Sequence, residues 1–112
     1  MHVDVRKSGD VVIVDMSGKL VGGVGDSLLH DVVDELLAEG WKKILLNLSG
    51  VTHIDSAGVG ELVSSLRTAK RFESSLKLLN LHENVRKTLH FASLLPVFEV
   101  YERESDALST FQ

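Results

Sequence analysis

Residues 44–62 join a short apolar run to a run with the periodicity of a helix. Residues 44–48 are almost all apolar, which is typical of a strand buried on both faces of a parallel sheet. Between residues 59 and 69 the apolar side chains recur at helical spacing. Small residues fill the connection, and Ser56 lies in it at the predicted start of the helix. Such a strand-to-helix unit favours an α/β fold with parallel strands.

The rest of the chain repeats this alternation of strands and helices. The first two strands are joined by turn residues at 7–10, so they predict a hairpin. The predicted strands are residues 2–6, 11–16, 44–48, 76–81 and 98–101. We therefore expect one α/β domain over residues 1–112, with a mixed, mostly parallel sheet of about five strands and about four helices.

The first two predicted helices follow clear boundary signals. A glycine-rich connection at residues 17–25 leads to the first helix, which Asp26 or Ser27 can cap. Gly40 ends that helix, because glycine is common just past a helix C-terminus. The second helix is predicted to begin near residues 57–58. Its side chains expected to face the core are Val59, Leu62, Val63, Leu66 and Ala69, and those expected to face outward are residues 61, 64, 65, 67, 68, 70 and 71.

The last two helices are shorter. Residues 83–93 predict a third helix, which Pro96 ends because the residue before a proline disfavours helical geometry. Ser105 is predicted to cap a terminal helix carrying Leu108 and Phe111. In the third helix, the side chains predicted to face the core are Val85, Leu89 and Ala92.

Composition narrows the functional classes. The chain has 112 residues, a net charge of −4 and no cysteine. The negative charge argues against nucleic acid as a partner, since nucleic acid selects basic faces. Without cysteine there is neither a disulfide framework nor a thiolate metal site, which fits a reducing cytoplasm. The N-terminus lacks the pattern of a signal peptide, and no apolar run approaches the ~20 residues that span a bilayer. We therefore expect a cytoplasmic protein with no membrane insertion.

Ser56 has two explanations that need no regulatory role. A hydrolase elbow has glycine two residues before and two after its serine, and Gly58 is present whereas position 54 is Ile54. His53 and Asp55 flank the serine in the same tight turn, where side chains rarely reach around to form a triad. The simpler alternative is an N-cap, because serine and aspartate oxygens accept the free amide protons of a first helical turn. From the residues alone, capping carries the most weight.

A longer motif changes this balance. Residues 54–62 read Ile-Asp-Ser-Ala-Gly-Val-Gly-Glu-Leu and resemble the phosphorylation loop of the STAS family, whose type members are bacterial anti-sigma factor antagonists. Residues 17–20 are similar to the exit of the family's second strand, and residues 43–48 to its central strand. The element order also fits this family over essentially the whole chain. At residues 18–21 the family often reads Gly-Glu-Leu-Asp, whereas this chain reads Gly-Lys-Leu-Val.

The resemblance implies a regulatory protein that is not an enzyme. In the family, the anti-sigma factor is a serine kinase that phosphorylates the loop serine, and the unphosphorylated antagonist binds this kinase and so frees the sigma factor. Carried over, Ser56 is the phosphoacceptor, and Asp55 orients the loop or the incoming hydroxyl. The implied partners are a GHKL-type kinase and a PP2C-type phosphatase. The expected partner-binding residues are Asp55, Ser56, Ala57, Gly58, Gly60, Glu61, Lys19, Val21, Gly22 and Gly23.

Other features invite weaker hypotheses. The five histidines show no metal spacing, and we expect neither a metal site nor a cofactor. Glycines at residues 22–25 hint at a phosphate cradle, but a flexible connection is the simpler explanation. Arg67, Lys70 and Arg71 form a basic helix face that is either solvated or in contact with a partner. The hairpin leaves an edge that could pair with a second copy of the chain.

Two alternative functions remain open from the sequence. A STAS scaffold could serve another assembly, such as a stress-sensing complex or a transporter-associated ATPase. The second alternative, from a different class, is a small hydrolase that uses Ser56 as its nucleophile.

Overall fold

The computed structural model describes residues 1–111 and contains one five-stranded sheet with four α-helices in that range. The strands are β1 (His2–Ser8), β2 (Val11–Leu20), β3 (Lys43–Ile54), β4 (Ser75–Leu79) and β5 (Val100–Tyr101). The helices are α1 (Gly25–Ala38), α2 (Ser56–Arg71), α3 (Glu83–Phe91) and α4 (Glu104–Thr110), and a 3-10 turn spans Leu95–Val97. Among the described residues, no helix has the length and apolar character needed to cross a membrane.

The sheet has the strand order β1-β2-β3-β4-β5. β1 pairs antiparallel with β2, and the other neighbours pair in parallel. The predicted α/β fold with a mixed, mostly parallel sheet is therefore confirmed. Because β2 and β3 run in the same direction, their carboxyl ends lie at the same edge of the sheet, with Leu20 beside Ile54. The connection into α1 and the start of α2 therefore meet there.

The core is unequal on the two faces of the sheet. One face carries alternate residues of the central strands, such as Val12, Val14 and Ile44, and packs against α1, α2 and α3. The other face carries Ile13 and Leu45 and is covered by α4. Apolar residues on both faces explain why the run predicted as β3 shows no alternation.

A buried lysine fixes α4 on the second face. Lys77 of β4 is 6% exposed, and its Nζ donates to the carbonyl oxygen of Thr110 at 3.1 Å and to the hydroxyl of Thr110 at 2.8 Å. The same ammonium lies 4.6 Å from the ring centroid of Phe111. A buried charge is tolerated where hydrogen bonds and an aromatic ring replace its water.

Two strands extend further than the sequence predicted. β2 was expected to end at residue 16, and β3 at residue 48, but they continue to Leu20 and Ile54. Their glycines interrupt the register without ending the strands: the pairing shifts twice along this stretch. A Cβ on Gly50 would lie 2.7 Å from the Cβ of Ser17, so glycine permits the close approach of the two backbones.

The other strands and the first helix also differ from the predictions at their ends. β1 runs to Ser8, whereas β4 stops at Leu79 before Asn80, whose φ of +54° is left-handed. β5 is reduced to two residues. α1 begins at Gly25, and the Asp26 side chain does not cap it. Instead, Asp26 Oδ1 accepts from the amide of Gly23 at 3.0 Å and that of Ser27 at 2.8 Å.

Three further predictions, which concern the third and fourth helices, were wrong. α3 ends at Phe91, so Ala92 lies outside the helix and is exposed, contrary to its predicted inward position. The left-handed φ of +59° at Ser93 ends this turn, and Pro96 lies in the following 3-10 turn. The N-cap of α4 is Arg103, without a side-chain capping bond, so Ser105 does not cap that helix.

The core-facing side of α2 agrees with its predicted pattern except at one serine. Val59, Leu62, Leu66 and Ala69 are buried, and Val63 packs against the core. Ser65, expected to face outward, is only 2% exposed. Within residues 1–111, its Oγ is buried without a hydrogen-bond partner. A buried hydroxyl of this kind lowers the stability of the fold.

Replacing this hydroxyl should therefore stabilise the protein. We expect Ser65→Ala to raise the free energy of unfolding by about 1–2 kcal/mol, because it removes an unpaired buried polar group and improves helix propensity. Ser64→Ala, at the neighbouring half-buried position, is the matched control and should gain only a few tenths of a kcal/mol. Urea denaturation measures both, and equal effects would contradict the structural account of Ser65.

Candidate functional site

Two segments meet at the carboxyl ends of β2 and β3. Residues 21–24 lead from β2 into α1, and α2 begins at Ser56, two residues after the last residue of β3. The amide of Asp55 donates to the carbonyl oxygen of Leu20 at 3.4 Å. The predicted partner-binding residues, which are far apart in sequence, are thus brought to one edge of the sheet.

The carboxylate of Asp55 joins these two segments. Its Oδ2 accepts from the amide of Gly22 at 3.0 Å, and its Oδ1 accepts from the amide of Gly58 at 2.9 Å. These hydrogen bonds, that from Gly22 first, hold the pKa of Asp55 below its ordinary value. Asp55 is the N-cap of α2. The capping explanation for Ser56 is therefore wrong, because the preceding residue performs that role.

Glycine at position 58 allows α2 to lie against the end of β2. A Cβ there would overlap the carbonyl oxygen of Leu20 and would lie 2.9 Å from Cγ1 of Ile54. Gly22 is similarly close to the helix, since a Cβ on it would lie 3.1 Å from the Cβ of Ala57. A Cβ on Gly60, in contrast, would meet no atom within 4 Å. Gly58 is thus needed for packing, whereas Gly60 faces open space.

Ser56 is the first residue of α2 and is exposed. Within residues 1–111, no hydrogen bond holds its hydroxyl, and no histidine bonds to it. The nearby His53 instead has its Nδ1 2.8 Å from Oγ1 of Thr52. The described part of the chain therefore gives Ser56 no general base of the kind that a serine hydrolase requires.

The predicted partner-binding residues differ in exposure. Gly58 is buried, Val21 and Glu61 are half-buried, and the others are exposed. The exposed residues are Lys19, Gly22, Gly23, Asp55, Ser56, Ala57 and Gly60.

Glu61 forms an intramolecular contact with α1. Its Oε1 lies 3.0 Å from Nδ1 of His30 on α1, and Nε2 of His30 lies 3.0 Å from Oδ2 of Asp34. The hydrogen bond to Glu61, followed by the negative charge of Asp34, raises the pKa of His30. Glu61 therefore ties α2 to α1, which gives it a structural role independent of any partner.

Two amides of the glycine-rich connection, those of Gly22 and Gly23, are already occupied. Gly22 donates to Asp55, and Gly23 donates to Asp26. A phosphate bound here would have to displace these carboxylates or lie beside their negative charges. The geometry therefore disfavours the phosphate cradle considered from the sequence.

An open groove runs from Ser56 along α2. Val59 and Val63 contribute apolar surface to it, and Leu94 closes it from the segment after α3. At the far end it is lined by three cationic side chains and by no carboxylate among the described residues. These cationic residues are Arg67, Lys70 and Arg71.

Sequence reasoning missed two residues of the site, one in the connection between β2 and α1 and one in the groove along α2. Val24 is 69% exposed in the connection between β2 and α1, and its signal was an apolar side chain within a glycine-rich stretch. Leu94 had no local signal, because it reaches the groove only through the packing of α3 and the segment after it.

The sequence matches a known protein family over most of its length. Residues 2–107 match the model of the STAS domain. The chain therefore belongs to the STAS family.

Several relatives share most of the chain. A Thermotoga neapolitana protein provisionally named as an anti-sigma factor antagonist is 35% identical over 81 residues, which cover 72% of each chain. The anti-sigma-B factor antagonist of Bacillus subtilis is 26% identical over 100 residues, 89% of this chain and 90% of the relative. A Thermotoga maritima crystal structure, provisionally named in the same way, has a TM-score of 0.85 at 29% identity and covers 96% of this chain and 92% of its own.

The two glycines of α2 provide a direct test of the site's packing. We expect Gly58→Ala to lower the free energy of unfolding by about 1–3 kcal/mol, because the added methyl group forces α2 away from Leu20. Gly60→Ala is the matched control and should raise it by up to about 1 kcal/mol through helix propensity alone. Urea denaturation of both variants measures this, and a Gly58→Ala variant as stable as Gly60→Ala would refute the close approach.

Proposed function

We propose that this chain is a cytoplasmic anti-sigma factor antagonist that is controlled by phosphorylation of Ser56. Its unphosphorylated form binds an anti-sigma factor serine kinase of the GHKL type and so frees a sigma factor for transcription. The kinase phosphorylates Ser56 and is then released. A PP2C-type phosphatase restores the binding form.

The observation that carries this proposal is the free, exposed hydroxyl of Ser56 on a fixed backbone. The hydroxyl can turn towards a visiting kinase, since no hydrogen bond within residues 1–111 holds it. Its backbone is held, because Asp55 beside it bonds to both Gly22 and Gly58. A protein substrate whose acceptor is accessible while its surroundings are preorganised loses little conformational entropy when the kinase binds.

The proposed partner surface includes both segments at the carboxyl ends of β2 and β3. Lys19, Val21, Gly22 and Gly23 contribute from the end of β2 and its loop. The contribution of α2 comes from Asp55, Ser56, Ala57 and Gly60, with Gly58 and Glu61 supporting the helix from within. The exposed Val24 adds apolar area to this surface.

The free energies involved indicate that electrostatic repulsion at the interface, rather than a change in the domain itself, switches partner binding. A phosphate at the start of α2 gains only about 0.3–1 kcal/mol from the helix dipole, so the modified domain stays folded. Shifting a complex from mostly bound to mostly free takes about 5.5 kcal/mol. A phosphate of charge about −2 lies next to the Asp55 carboxylate. If it is buried in an interface without a matching cation, it can weaken binding by several kcal/mol. Partner release therefore requires no change of fold.

Mass spectrometry tests the acceptor. After incubation with ATP and a candidate GHKL-type kinase, the wild-type chain should gain one phosphate and Ser56→Ala should gain none. Ser64→Ala, which removes another serine hydroxyl from α2, is the matched control and should be phosphorylated like the wild type. Equal incorporation into wild type and Ser56→Ala would refute the assignment.

Binding to the same kinase tests the switch. Ser56→Asp should weaken the complex by at least about tenfold, because it places a second carboxylate at the interface, whereas Ser56→Ala should bind like the wild type. Calorimetry measures both affinities. If the two variants bound equally tightly, negative charge at residue 56 would not be what releases the partner.

A further inference from the structure

β1 forms a long edge of the sheet. It has seven residues, whereas β5 at the opposite edge has two. Within residues 1–111, no strand pairs with the outer side of β1. It contains no proline and no left-handed residue among His2–Ser8. Its outward N–H and C=O groups therefore form a regular template for another extended strand.

An apolar groove lies beside this edge. Val5 is 50% exposed and lines the groove together with Val32 and Leu36 of α1. Glu35 and Glu39 form its acidic rim. A strand added to β1 would cover Val5 and extend the apolar contact between the sheet and α1.

The pairing geometry restricts how two copies of β1 can meet around a two-fold axis. In an antiparallel pair, directly opposite residues must both direct their backbone groups towards the partner or both away from it. Those groups alternate along a strand, so opposite residues are an even number of positions apart. The axis must therefore pass through a residue rather than between two, and the central choices are Asp4, Val5 and Arg6.

The charges on β1 distinguish these three registers. An axis at Asp4 would place Asp4 opposite its own copy, and an axis at Arg6 would do the same with two arginines. Like charges directly opposite each other are unfavourable. An axis at Val5 instead places valine against valine and Asp4 against Arg6, which are oppositely charged. Only this register combines apolar contact with charge complementarity.

We propose that β1 is a self-association surface, on which a second copy of the chain pairs antiparallel with Val5 at the two-fold axis. The product is a continuous ten-stranded sheet. Val5 and its copy lie on the face of the sheet that packs against α1. Lys7 of each copy lies on the same face, and so does the acidic rim of the groove. Arg6 is held in place by hydrogen bonds to Asp15 and Glu104 of its own chain. This pairing is independent of Ser56.

Cysteine cross-linking tests the register directly, because the chain has no cysteine of its own. Val5→Cys should form an intermolecular disulfide, since directly opposite Cα atoms lie about 4.5–5.5 Å apart, within the roughly 4.4–6.8 Å that separates the Cα atoms of a disulfide. Val3→Cys should not, because in this register the two copies of residue 3 are about 13 Å apart along the strands. Val97→Cys, at a valine of similar exposure (46%) away from the sheet edge, is the control for random collision. Equal cross-linking by all three variants would overturn the proposal.

Sedimentation of the unmodified chain tests the association itself. The wild type should show a monomer–dimer equilibrium that shifts with protein concentration. Val5→Lys places like charges at the axis and should lower the association constant about tenfold, whereas Val97→Lys should leave it unchanged. A wild type that remains monomeric at the highest soluble concentration would overturn the proposal. A dimer that is unaffected by Val5→Lys would do the same.

Discussion

The carboxylate of Asp55 is the interaction on which the site depends. It accepts one hydrogen bond from the amide of Gly22, 33 residues earlier in the sequence, and one from the amide of Gly58 in the first turn of α2. Because these bonds favour the charged carboxylate, its folded pKa lies below its ordinary value of 3.8. The stability it contributes is therefore complete above that value and is lost as the pH falls through the lower folded pKa.

The fold makes this link possible through parallel pairing and a missing side chain. Parallel strands bring the ends of β2 and β3 together, and Gly58 lets α2 lie against the Leu20 carbonyl. Glu61 and His30 add a second tie between α1 and α2. With Asp55 as the cap, the hydroxyl of Ser56 remains available for modification. The surface at the carboxyl ends of β2 and β3 therefore combines a fixed backbone with an exposed hydroxyl that forms no hydrogen bond within residues 1–111, which fits the proposed regulatory role.

Local patterns predicted the architecture but not the contacts between elements. The apolar run at residues 44–48 and the helical spacing after residue 59 were sufficient for an α/β fold with parallel strands. The ends of β2 and β3 were predicted too early, because residues 17–25 were interpreted as a glycine-rich connection and the apolar run stops at residue 48, whereas both strands continue through register shifts near Gly18 and Gly50. The motif drew attention to Ser56, but the capping role of Asp55 depends on which side chain turns back towards Gly58. The bond to Gly22 and the tie between Glu61 and His30 arise from tertiary packing, which no local spacing reveals.

An NMR titration of the Asp55 carboxyl carbon, together with the amide protons of Gly22 and Gly58, tests the central link most directly. We expect an Asp55 pKa below 3.8, with both amide protons shifting at that same pH as their acceptor is protonated. In Asp55→Asn, that shared transition should disappear. An Asp55 pKa at or above 3.8, or a Gly22 amide that does not follow the carboxyl group, would contradict the proposed connection between the loop and α2.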